Sequence, residues 1–253
     1  VQTESSTVIE EQRAEIQAAV AELKRPATLP AAAFFLGFAG VGEQRLFADE
    51  IKLAERVFAD KFHTAERSLR LVNDQSQPRQ FPIASAATLR AALAAIAARM
   101  DTATDVLFLV VSSHGDKQGF LHVSRPGMSL ASLSVHELAD ALRDSAITWK
   151  VVIISACYSG QFLTPLIDSH TIVITAAAPD RASFGCAEDR ELTYFGEAFY
   201  RDALPHAATL REAFAATRTA IAAREAREQR RPSNPQSWFG WAIVEHLENM
   251  SLE

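Results

Sequence analysis

A mostly parallel sheet of about six strands, with helices on both faces in a three-layer α/β sandwich, is predicted by three features of the 253-residue sequence. Short apolar runs rich in Val, Ile and Phe recur along the chain, as expected of strands buried on both faces. Segments of helical period separate those runs, the order that builds strand–crossover–strand units. The composition, 48% hydrophobic and 22% charged, is that of an ordinary globular chain and excludes wholesale disorder.

The elements follow in order. Glu10 to Lys24 places Ile16, Val20 and Leu23 at helical spacing, with Pro26 and Pro30 as punctuation, and predicts an amphipathic helix. It packs on the main body or on a partner, so residues 1–30 are expected to form an N-terminal helical extension and 31–253 the main domain. Ala32–Ala39 is the first strand, Asp49–Phe62 a helix and Ser68–Val72 an alternating strand. Ala86–Met100 is alanine-rich, with Leu89, Leu93 and Ile96 on one face, and reads as helix by propensity and period. Val106–Val111 is a buried strand. Ser134–Leu142 is a helix with a capping box formed by Ser134 and Glu137. Lys150–Ile154 and Thr171–Thr175 are strands, Thr193–Leu204 and Thr209–Arg227 helices, and Trp238–Val244 a last strand. Gln75–Gln80 and Gln229–Gln236 are polar, proline-containing loops expected to be mobile.

Several classes of function are excluded. A net charge of −6 gives no reason to expect nucleic acid as a partner. No apolar run approaches the roughly 20 residues of a membrane span. Val1 and the polar Gln2–Thr7 do not resemble a signal peptide, which leaves upstream targeting, anchoring and the compartment open. Cys157 and Cys186 are too few for a disulfide framework, and nothing spaces them as a zinc site. The glycines of Gly37-Phe-Ala-Gly40-Val-Gly42 lack the spacing of a dinucleotide loop, which argues against a nucleotide-binding protein.

In an open parallel sheet, ligands sit beyond the carboxyl ends of the strands. Val106–Val111 is followed by Ser112-Ser113-His114-Gly115-Asp116, and Val151–Ile154 by Ser155-Ala156-Cys157-Tyr158-Ser159-Gly160. An imidazole and a thiol thus leave two strand tips, and the imidazole favours the nucleophilic thiolate. Gly115 clears space for a carbonyl oxygen near a backbone N–H. With the N–H of Cys157 this makes a two-donor oxyanion hole, each donor contributing about 3 kcal/mol.

These motifs resemble the legumain family of cysteine peptidases, which has a caspase-like fold and includes the catalytic subunit of the GPI transamidase. The similarity runs collinearly from about Ala32 to Ala242. It includes Arg45 with Ala48-Asp49, Ile174–Arg181 and Thr193-Tyr-Phe-Gly-Glu197. The absence of a long insertion is similar to compact bacterial members, which implies a bacterial cytoplasm or periplasm. The resemblance implies a Cys157–His114 dyad that cleaves peptide or protein substrates after Asn, or after Asp at acidic pH, with no metal or cofactor. It implies a pocket containing Arg45, Ser183 and Glu197. Ser155 stands where animal and plant legumains carry glutamate, which removes one carboxylate. Glu43 falls near the family's histidine-orienting asparagine.

Cys186 is expected to be an inert thiol near the pocket, and Trp238 and Trp241 to fill the core or line a subsite. The N-terminal helix and the loop Val72–Ser76 are candidate regulatory segments, with Asn73 and Asp74 as possible self-cleavage points. A transpeptidase using the same acyl-enzyme, and a catalytically silent caspase-like binding protein, are the alternative readings. Oligomeric state is left open.

Overall fold

The computed structural model describes residues 2–3, 6–25, 29–77, 80–187 and 190–250. The chain is an α/β sandwich in which one six-stranded sheet separates two helical layers. Pro26 lies outside the described residues, as does part of the loop Gln75–Gln80.

After a two-residue strand β1 (Gln2–Thr3) and helix α1 (Ser6–Ala21), the chain enters the interior strand β2 (Ala33–Ala39). Helix α2 (Arg45–Phe62) leads to β3 (Ser68–Val72), and α3 (Ala86–Ala97) to β4 (Val106–Ser112). Three short strands follow, β5 (Phe120–Leu121), β6 (Met128–Ser129) and β7 (Leu133–Ser134). Helix α4 (Val135–Asp144), β8 (Trp149–Ser155), a 3-10 turn (Ser159–Phe162), α5 (Leu163–Leu166) and β9 (Thr171–Thr175) complete the parallel part. The chain ends with α6 (Tyr194–Gly196), a π-helical stretch (Glu197–Ala203), α7 (Leu210–Arg227), β10 (Gln236–Phe239) and α8 (Trp241–Asn249).

The sheet order is β10-β9-β8-β4-β2-β3, parallel except for β10. The chain passes from β2 outward to β3, then crosses back over β2 to β4, so strand order reverses between β2 and β4. That reversal opens a crevice at the carboxyl edge of the sheet.

Alternate residues of the buried strands feed two cores. Phe34, Leu36, Leu107, Leu109, Val152 and Ile154 face α1, α3 and α4, whereas Phe35, Phe108, Val110, Val151 and Ile153 face α2, the π-helical stretch and α7. Each fully buried side chain of this size contributes about 1.5–3 kcal/mol, and both faces must be covered, which is why the strands read as continuous apolar runs.

Helix α1 starts four residues earlier than its periodicity indicates and ends at Ala21. Ile16, Val20 and Leu23 are buried in the same apolar cluster as α3, so of the two expected placements it takes the one on the body. Helix α2 begins at Arg45, not Asp49, and the capping box of Ser134 and Glu137 forms as expected. Trp238–Val244 is not one strand. The strand ends at Phe239, and at Gly240 the chain turns into α8, with Ile243 buried at helical spacing. The loop before β10 is pinned, because the Ser233 N–H donates to both carboxylate oxygens of buried Glu225 at 3.1 Å. Among the described residues, no helix is long and apolar enough to cross a membrane.

Candidate active site

Strands β4 and β8 pair in parallel with Ser112 opposite Ser155, the last residue of each. Two residues beyond that pair stand His114 after β4 and Cys157 after β8, at the same edge of the sheet. The Ser113 N–H donates to the Ser155 carbonyl at 3.1 Å, so the pairing continues into the turns. A side chain at position 115 would run into the Cys157 carbonyl oxygen and crowd the Ala156 side chain. Glycine is therefore what lets the two turns touch.

The Cys157 turn is sharp. Tyr158 lies in the left-handed region, with φ 56° and ψ 15°, and the 3-10 turn starts directly after it. Its N–H donates to the Arg181 carbonyl at 2.8 Å, and Ser159 Oγ accepts from the Ala177 N–H at 3.1 Å. This holds the half-buried thiol at a strand–turn–helix corner. The Cys157 thiol donates to the Ser183 carbonyl at 3.4 Å, and Sγ lies 3.6 Å from Ser183 Oγ. Among the described residues, the N–H groups of Gly115 and Cys157 have no acceptor.

The half-buried His114 places Nε2 2.5 Å from Gln44 Oε1 and packs edge-on against the Phe47 ring. Gln44 Nε2 in turn donates to the Cys186 carbonyl at 3.3 Å, so its amide oxygen is presented to the imidazole. Neutral His114 then donates from Nε2 and keeps its lone pair on Nδ1. Burial, and secondarily the neighbouring charge of His122, hold its pKa below the ordinary 6.5. Gln44 takes the place that the sequence assigns to Glu43, whose carboxylate accepts instead from Ser124 Oγ at 2.5 Å.

Beneath the two turns lies Glu50 of α2, which has no solvent exposure. It accepts from Ser112 Oγ at 2.9 Å, and from the N–H and hydroxyl of Thr193 at 3.2 and 2.6 Å. The Ser155 hydroxyl lies 3.2 Å from Thr193 Oγ1. The Glu50 carboxyl group thus joins the end of β4 to Thr193, the residue that caps α6 and that meets the end of β8 through Ser155. Gly196 lacks a side chain where any other residue would strike Glu50. Despite these donors, desolvation raises the Glu50 pKa above its ordinary 4.5. No sequence signal singles out Glu50 or Gln44. Only the crossing of α2 over the strand ends brings them here.

The remaining expected residues divide. Ser183 touches the thiol, and Arg45, 63% exposed in its side chain, pairs with Asp49 at 3.3 Å and lines a cavity of about 1140 Å³. Gln44, Arg190 and Glu191 line the same cavity. Ser155 is buried against Glu50 and Thr193, because the last residue of β8 points toward α2. Glu197 is held by Arg190, Arg201 and Arg224. Asn73 is 1% exposed, its amide bonded to the carbonyls of Gly40 and Ala84, and Asp74 is also buried, so this segment is not the open polar loop its composition indicates. The Cys186 thiol is pushed up to about 12 by burial and by the neighbouring Cys157, which leaves it protonated at neutral pH. Trp241 lies toward the opposite edge of the sheet, because β10 runs antiparallel, and Trp238 pairs with Val173 in mid-strand and donates from its indole to the Asp168 carbonyl at 2.8 Å. Among the described residues, no three His, Cys, Asp or Glu side chains converge as a metal-ligand set.

The profile of the peptidase C13 family matches residues 88–245, a span that holds both turns. No curated protein matches the chain.

The raised pKa of Glu50 has a signed consequence for stability. The folded state retains this proton above pH 4.5, where the unfolded state releases it, so the contribution is full below 4.5 and is lost as pH rises. The stability difference between wild type and Glu50→Gln, measured by urea unfolding, should therefore move against the wild type from pH 4.5 upward. A pH-independent difference would show that Glu50 does not titrate in this way.

Proposed function

The chain belongs to the peptidase C13 family, the legumain family of cysteine peptidases, and we propose that it is an endopeptidase that cuts after Asn or Asp through Cys157 and His114. The observation that carries this reading is the register of β4 and β8, which sets both residues at equal distance past a paired serine couple.

In this mechanism Nδ1 of His114 takes the thiol proton as Cys157 Sγ attacks the scissile carbonyl carbon. The electron pair moves to the carbonyl oxygen, which receives the two unengaged N–H groups of Gly115 and Cys157. When the intermediate collapses, the C–N bond breaks and His114 hands its proton to the departing amine. A thioester remains on Cys157. Water then attacks it, giving a proton to His114, and the thiol is restored as the carboxyl product leaves.

The Asn or Asp side chain needs a donor for its carbonyl oxygen, and an amide needs an acceptor as well. Arg45 supplies the donor. Glu191, on the same cavity wall, supplies the acceptor more readily than Glu197, whose carboxylate is taken up by three arginines.

A panel of fluorogenic peptides varied at the residue before the cut tests this directly. Asn and Asp peptides should be turned over, and Cys157→Ala should lose about 10³-fold or more in kcat/KM. Activity that survives the alanine change would contradict the mechanism. His114 must be neutral to accept the thiol proton, so activity falls as pH drops through its pKa. His122 opposes protonation of His114. His122→Asn should therefore move the acid limb of kcat/KM to higher pH, and a limb that stays in place or moves down would contradict this coupling.

A further inference from the structure

We propose that the small pocket beside the nucleophile turn is a subsite for an acidic side chain of the substrate, on the stretch that follows the scissile bond. The proposal rests on the peptidase reading above and adds a substrate preference to it.

The pocket, about 120 Å³, is bounded by Lys117, Tyr158, Asp180, Arg181, Phe184 and Arg231. Its position is fixed by the chemistry next to it. Tyr158 is the residue after Cys157, and its N–H is bonded to the Arg181 carbonyl. Phe184 follows Ser183, whose carbonyl and hydroxyl meet the thiol. Lys117 lies three residues past His114, on the turn that leaves β4, with its ammonium 5.9 Å from the Tyr158 ring centroid. His114 protonates the departing amine, so the His114–Lys117 side of the cleft is where the chain on that amine runs. The cavity lined by Gln44 and Arg45 lies apart from it, bounded by a different set of residues.

The charge balance selects the ligand. Among the described residues, three cations face one carboxylate. Asp180 accepts from Arg181 Nη1 at 2.7 Å and lies 3.8 Å from Arg231, but it is itself 68% exposed and cannot neutralise all three. Lys117 has no ion pair among the described residues. Nε of Arg181 is sealed from water with no acceptor among them, and Nη1 is the nitrogen that meets Asp180. Cations grouped in a recess draw a carboxylate more strongly than the same cations spread on a surface. The volume suits one short side chain, which means Asp or Glu rather than a longer acidic group.

The test uses peptides with Asn before the cut and Asp, Glu, Ala or Lys at each of the next two positions. They are given to the wild type and to Lys117→Ala, Arg231→Ala and the double variant, none of which alters the dyad. At one of the two positions the acidic peptides should exceed the alanine peptide by about tenfold in kcat/KM, chiefly through KM. Each single variant should reduce that ratio and the double variant should bring it near one, with the alanine peptide changed less than about twofold. The ratio should also shrink in 0.5 M salt, where the Debye length is about 4 Å.

Cleavage with no acidic preference, or a preference that survives in the double variant, would overturn the subsite and leave the peptidase reading standing. If no peptide is cleaved, the peptidase reading falls. Anisotropy of the same peptides, labelled and added to Cys157→Ala with and without the two substitutions, then decides the pocket by itself. Tighter binding of the acidic peptide that is lost with the two cations supports it, and equal binding overturns it.

Discussion

The parallel pairing that sets Ser112 opposite Ser155 governs everything at the site. A slip of one residue would send every inward side chain of β4 or β8 to the other face of the sheet, where the two apolar cores could not accept it. The core therefore dictates the register, and the register dictates that residues 114 and 157 leave the same edge of the sheet from adjacent strands. Glu50 closes the arrangement from below by holding the Ser112 hydroxyl directly and Ser155 through Thr193. A buried carboxyl group is costly, and it is tolerated here because its oxygens meet hydroxyl and amide donors from two segments. The same group reaches Thr193, so the strand ends and the segment bearing Arg190 and Glu191 are held as one unit.

Electrostatics around His114 is arranged by burial more than by ion pairs. His114 is kept neutral by desolvation and by His122, while Gln44, an uncharged partner, orients it without stabilising imidazolium. Glutamate at the orienting position would have favoured the charged ring instead. Farther out, the arginines act as scaffolding. Arg190 and Arg224 stack on Tyr194 and clamp Glu197, which fixes the wall behind the cleft and leaves Arg45 and Glu191 at its opening.

Much of this is readable in the sequence where local pattern and tertiary role coincide. Val106–Val111 and Val151–Ile154 have the apolar continuity that two-sided burial demands, and the His-Gly and Ala-Cys-x-Ser-Gly motifs directly follow them. The hidden parts depend on crossings. Gln44 and Glu50 matter because α2 passes over the ends of β4 and β8, and nothing in the residues 43–50 announces that passage. Ser155 looks like a pocket residue from its place two before the thiol, yet the alternation of a strand turns it inward. Asn73 and Asp74 have the composition of an exposed loop, but the amide of Asn73 is spent on the carbonyls of Gly40 and Ala84. The antiparallel direction of β10, which carries Trp238 away from the cleft, is likewise a matter of topology that composition does not record.

In the proposed reaction Cys157 forms the covalent bond to the substrate. Acid quenching during turnover of an Asn-containing peptide, followed by mass mapping of the trapped protein, tests this bond. The amino-terminal product fragment should be attached to the Cys157 segment and be released by neutral hydroxylamine, as a thioester must be. Attachment to Cys186 or to a hydroxyl residue while turnover proceeds would contradict it.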